Sequence, residues 1–106
     1  MPESRRNRPR ILLVDDEPRV LEGLRRQLHR HYEAVCATDA CRAIHTFTHD
    51  GPFPVVVSDL RMPRVDGVSL LAKIASIEPD TVRVLLTGHA DLAAAADAVN
   101  RGRVFR

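Results

Sequence analysis

A chain of 106 residues, 44% hydrophobic and 28% charged, has the size and composition of one small soluble domain with a thin core. Its formal charge of +2 comes from Arg5, Arg6, Arg8 and Arg10, against Glu3 alone, so the remainder is slightly acidic and does not read as a nucleic-acid-binding domain. A polar amino terminus and apolar runs far short of the roughly 20 residues of a membrane span argue against a signal peptide or a transmembrane segment, and a cytoplasmic location is expected.

Residues 1–10 read as a basic, disordered tail, and residues 11–106 as the folded domain. Ile11 to Val14 is the first strand. Pro18 stands where a helix begins, and Val20, Leu21, Leu24 and Leu28 recur at helical spacing as far as about Arg30. Glu33 to Ala37 is a second strand. Thr38 or Asp39 caps a helix that carries Ala43, Ile44 and Phe47, and Asp50-Gly51-Pro52 ends it.

Pro54 to Ser58 is almost wholly apolar, as a strand covered on both faces should be. A third helix, from about Val68 to Ile77, is expected to bury Leu70, Leu71, Ile74 and Ile77. Thr81 to Leu86 is a fourth strand, Thr87-Gly88-His89 turns away from its end, and Asp91 caps an Ala-rich helix ending near Asn100 and Gly102. Arg103 to Arg106 then open what reads as a fifth strand. A β-α series this regular ought to continue, so the chain is expected to be part of a longer protein or to borrow the missing elements from a neighbour.

Alternating strands and helices of this kind build a parallel α/β sheet. Cys36 and Cys41 are expected to be buried, reduced thiols. His45 and His49 lie four apart on the second helix and could share a metal, although surface placement without a third ligand is the plainer reading.

Chemistry concentrates at two places. The run ILLVDDEP releases Asp15, Asp16 and Glu17 at the end of the first strand, and PVVVSDLRMPRVDG releases Asp59 at the end of the third. Parallel sheets bind their ligands beyond the carboxyl ends of the strands, so these acids can share one crevice. Carboxylates gathered there repel one another unless protons or a cation intervene, and their oxygens suit Mg²⁺. A charge pair favouring the first helix's dipole would account for one of Asp15 and Asp16 and leave the other unexplained.

DDEP after the first strand, DLRMPRVDG after the third and LLTGHAD after the fourth, in this order and at these spacings, resemble the receiver domain of two-component response regulators. The resemblance implies a flavodoxin-like, doubly wound parallel sheet with strand order 2-1-3-4 and the fifth strand and helix missing or incomplete. It makes Asp59 the acceptor of a phosphoryl group from a sensor histidine kinase, a phosphotransfer protein or a small phosphodonor. By the same resemblance Asp16 holds Mg²⁺ directly, Asp15 holds it through water, and Asp59 and the backbone carbonyl of Arg61 complete the protein's share. Thr87 becomes the switch hydroxyl, and Arg61 and His89 line the route of an attacking water.

Receivers also carry a lysine at the end of strand five, whereas Lys73, the sole lysine here, lies in the third helix. GHADLAAAADAVNRGRVFR resembles receivers joined to cyclic-di-GMP phosphodiesterase outputs of the HD-GYP type, or to certain transcriptional activators, so an output domain is expected beyond Arg106. A homo-oligomer is expected too. The implied function is a signalling phosphoacceptor rather than an enzyme that turns over. The competing readings are a Mg²⁺-dependent phosphohydrolase of haloacid-dehalogenase type, which needs its two acids two residues apart, and a degenerate receiver that serves only as an interaction module.

Overall fold

Four short runs of Val, Ile and Leu form the strands of one sheet, because β-branched and large apolar residues fill a surface covered on both sides. The computed structural model describes residues 8–62 and 64–86. Expectations for residues 1–7, Pro63 and 87–106, among them the Thr87 turn, the Ala-rich helix and the fifth strand, lie outside the described residues. In chain order the elements are β1 (Arg10–Val14), α1 (Pro18–Leu28), β2 (Glu33–Ala37), α2 (Ala40–Asp50), β3 (Val55–Asp59), α3 (Gly67–Ile77) and β4 (Val82–Leu86). The strands are parallel and stand in the order β2-β1-β3-β4, as expected.

Helix boundaries follow from local hydrogen bonding. Pro18 opens α1, and the helix stops at Leu28, short of Arg30, because the N–H groups of His31 and Tyr32 both turn back to the Leu28 carbonyl, at 3.0 and 2.9 Å. Asp39 rather than Thr38 caps α2, its carboxylate accepting the Arg42 N–H at 2.7 Å. Asp66 caps α3 in the same way through the Ser69 N–H at 2.8 Å, which starts the helix at Gly67.

Alternation along β1 divides the core in two. Leu12 and Val14 face a cluster with Val56, Ala43 and Phe47 of α2, and Leu70, Leu71 and Ile74 of α3. Ile11 and Leu13 face the opposite side, where Val57 and Leu21 of α1 join them and Leu24, Leu28, Val84 and Leu86 pack partly buried around the rim. Burial on both faces locks β1 and β3 in register, since a slip by one residue would exchange the two clusters.

Three expectations are corrected. Ile77 is 43% exposed, because it closes the last turn of α3 beyond the reach of the sheet. Cys36 and Cys41 are free, as expected, but exposed. Among the described strands β2 pairs only with β1, so its outward Cys36 is left uncovered, and Cys41 sits in the first turn of α2 while Ala43 takes the inward position. Residues 8–10 belong to the folded unit rather than to a tail: Arg10 starts β1, its guanidinium lies 4.6 Å from the Phe53 ring centre, and Arg8 donates to the His29 carbonyl. Among the described residues no helix is long and apolar enough to cross a membrane.

Candidate functional site

The register of the sheet assembles the acidic crevice. Val14 pairs with Ser58 across β1 and β3, so the next residue of each chain, Asp15 and Asp59, leaves the sheet from adjacent strand ends. Asp15 is tied down further by its N–H, which reaches the Ala37 carbonyl of β2 at 3.2 Å. Asp15 is buried, Asp59 half-buried and Asp16 exposed, and one carboxylate oxygen from each lies within 4.8 Å of the other two.

Burial pushes the Asp15 carboxyl above its ordinary range, and the N–H of Glu17, which donates to Asp15 Oδ1 at 2.8 Å, pulls the other way. The negative charges of Asp59 and Asp16 raise it further. The crevice therefore favours whatever brings positive charge, whether a proton or a metal ion. Mg²⁺ binds oxygens at about 2.1 Å in an octahedron, so donors on opposite sides of one ion stand about 4.2 Å apart. A cluster of three carboxylate oxygens of this size fits that ion, with little adjustment of the side chains.

The loop from β3 to α3 holds Asp59 from below. The Ser58 hydroxyl donates to the Asp59 carbonyl at 3.0 Å, the Leu60 N–H donates to Leu86 of β4 at 2.9 Å, and the Gly67 N–H donates to Leu60 at 2.9 Å. Gly67 packs directly against this backbone. A methyl group there would fall well inside contact distance of the Asp59 carbonyl oxygen and 2.9 Å from Leu85 Cδ1, so only glycine lets α3 start this close to the acid. Arg64, midway along the loop, has a φ of 72°, a left-handed conformation uncommon outside glycine. A cavity of about 390 Å³ opens beside the crevice and is lined by Asp16, Thr38, Met62, Arg64 and Val65.

Of the residues singled out in the sequence, the structure brings Asp15, Asp16 and Asp59 together. Arg61 lies two residues past Asp59 with its side chain exposed. Thr87 and His89 lie outside the described residues. The tight contact of Gly67 and the capping by Asp66 were not anticipated from the residues; the DG pair ahead of an apolar helical stretch was the available signal.

With this geometry in hand, known proteins give a consistent match. The family model described as the response regulator receiver domain covers residues 11–104. The C4-dicarboxylate transport transcriptional regulatory protein DctD of Pseudomonas aeruginosa is 36% identical over 92 residues, covering 87% of this chain and 20% of its own length. The transcriptional regulatory protein FixJ of Rhizobium meliloti is 34% identical over 94 residues, covering 89% of this chain and 46% of its own. The chain thus spans less than half the length of either relative.

Among solved structures, the signal receiver domain of an HD domain-containing protein from Pseudomonas fluorescens Pf-5 superposes with a TM-score of 0.85 at 38% identity, over 94% of this chain and 80% of that one. The response regulator TrrA of Thermotoga maritima, in complex with Mg²⁺-BeF, gives 0.73 at 32% identity, over 83% and 80%.

Two outcomes follow from the geometry. A carboxyl whose folded pKa is raised contributes stability that is full below its unfolded value, about 3.9, and is lost as pH rises through the folded value. At neutral pH a charged Asp15 therefore costs stability. Asp15→Asn is expected to melt a few degrees higher than the parent without metal and to lose most of the Mg²⁺-dependent rise in Tm; a lower metal-free Tm would contradict this reading. Gly67→Ala is expected to cost about 1–3 kcal/mol in urea unfolding, because backbone on one side and Leu85 on the other must move.

Proposed function

This chain belongs to the response regulator receiver domain family, and on that premise we propose that Asp59 accepts a phosphoryl group in a Mg²⁺-dependent reaction, which then alters a surface read by an output domain. The observation that carries the reading is the convergence of Asp15, Asp16 and Asp59 within 4.8 Å. One carboxylate is the nucleophile, and its neighbours supply oxygens for the cation. An Asp59 oxygen attacks phosphorus, a new O–P bond forms, and the bond from phosphorus to the donor's nitrogen or acyl oxygen breaks with its electron pair leaving on the donor. Mg²⁺, when bound, supplies positive charge that offsets carboxylate repulsion and the charge on the phosphoryl oxygens.

In this reading Asp16 would hold the ion directly, Asp15 would hold it through water, and the Arg61 carbonyl would add an oxygen. The Asp15 side chain is oriented for that part by the Glu17 N–H. The hydrogen bonds from Ser58, Leu60 and Gly67 keep the backbone around Asp59 from yielding during attack. The 390 Å³ cavity beside Asp16 gives a donor room to approach. Thr87, next in the chain after Leu86, is the switch hydroxyl that donates to a phosphoryl oxygen.

The phosphoryl donor is a sensor histidine kinase or a phosphotransfer protein, with small acyl phosphates as substitutes. The output is a transcriptional regulator, as the names of DctD and FixJ suggest, or an HD-type domain, as in the Pseudomonas fluorescens protein. Any nucleic-acid contact belongs to that output. The protein is cytoplasmic and a homo-oligomer, the latter supported by the exposed Val20 and the partly buried Leu24 and Leu28 on α1. It is a phosphoacceptor rather than a hydrolase: Asp15 and Asp16 are adjacent, whereas haloacid-dehalogenase chemistry needs two acids two residues apart.

Incubation with acetyl phosphate and Mg²⁺, followed by intact-mass measurement, is expected to add one phosphoryl group per chain, to add none to Asp59→Asn and none in the presence of EDTA. Continuous phosphate release without a modified chain, or equal modification of the asparagine variant, would refute the assignment.

A further inference from the structure

Helix α2 repeats a metal-binding residue type along one stripe: Cys41, His45 and His49 stand four residues apart. Side chains at this spacing are neighbours on the helix surface, and both histidines are exposed. Their rings lie with centroids 4.2 Å apart and planes inclined by 26°. His49 Nδ1 is 2.9 Å from the His45 carbonyl oxygen, which can only accept, so Nδ1 carries the proton and the neutral ring keeps its lone pair on Nε2. A backbone carbonyl that fixes the tautomer in this way is the usual support of a metal-bound histidine.

Beside His45 is a cavity of about 550 Å³ into which Cys36, Cys41 and Arg42 also face. Arg42, the cation beside this cavity, is engaged by Asp39 at 3.6 Å. None of these residues belongs to the acidic crevice.

We propose that His45 and His49 form a binding site for a divalent transition-metal ion of the Zn²⁺ or Cu²⁺ type, separate from the Mg²⁺ crevice. Imidazole nitrogens suit these borderline ions, while Mg²⁺ prefers oxygen, so the two sites select different metals by donor chemistry. A Zn–N bond is about 2.0–2.1 Å, so two nitrogens on one ion stand no more than about 4.2 Å apart. The two exposed rings, with centroids 4.2 Å apart, are near enough for χ rotations that turn them out of the stack to bring both Nε2 atoms to one ion, with water filling its remaining positions. An ion held across these residues would staple the last two turns of α2, whose opposite face buries Ala43 and Phe47 against the sheet.

The test is a Zn²⁺ titration by calorimetry in excess Mg²⁺, which keeps the carboxylate crevice filled. It uses a chain carrying Cys36→Ser and Cys41→Ser, so that the exposed thiols cannot bind the ion. One Zn²⁺ per chain is expected, and His45→Ala and His49→Ala should each weaken it by about tenfold or more, with helical circular dichroism unchanged. Asp16→Asn should leave it untouched. Absence of binding, an affinity indifferent to either histidine, or loss of the ion in Asp16→Asn would each overturn the proposal.

Discussion

The parallel pairing of β1 with β3 is the constraint on which the rest of this molecule depends. With Val14 opposite Ser58, Asp15 and Asp59 emerge side by side, and Asp16 follows at the same strand end. Slippage by one position would turn Leu12 and Val14 away from the α2–α3 cluster and separate the acids at the same time. Core and site are therefore specified by one arrangement: the apolar alternation that packs the sheet also sets the carboxylates together.

That arrangement carries an electrostatic cost. Asp15 is buried beside two further carboxylates, and its raised pKa records the strain. Burial on both faces of β1, where Leu12 and Leu13 are wholly inaccessible, provides the stabilisation that holds the acids in place despite their repulsion. The β3–α3 loop adds stiffness, since Leu60 is bonded both to β4 and to the start of α3, and Gly67 lets that helix close directly onto the Asp59 carbonyl. A crevice kept open at an energetic cost and relieved by positive charge is a suitable place for chemistry that requires a metal ion and a phosphoryl group.

Much of this was legible in the residues. Strand β2 lies where its apolar run predicted, β1, β3 and β4 within a residue, and the acidic triad was evident from two strand ends that each terminate in aspartate. The cap of α2 was readable as well, because Asp39 stands just ahead of helical periodicity. What escaped depends on distances between elements that periodicity does not encode. Ile77 continues the spacing of Leu70, Leu71 and Ile74 but lies past the edge of what α3 covers, and Cys36 occupies an inward-looking sequence context on an edge strand that leaves one side uncovered. The contact between Gly67 and the Asp59 backbone, likewise, follows from how the loop folds back, which a DG pair only hints at.

Membership of the receiver family and the shape of the crevice both support the proposed chemistry. The most direct measurement is a crystal structure of the chain grown with Mg²⁺ and beryllofluoride, a mimic of a phosphoryl group on a carboxylate. The account predicts the mimic bonded to an Asp59 oxygen, with the metal ion between it and the Asp16 carboxylate. A metal ion bound elsewhere, or Asp59 turned out of the crevice with no group attached, would contradict it.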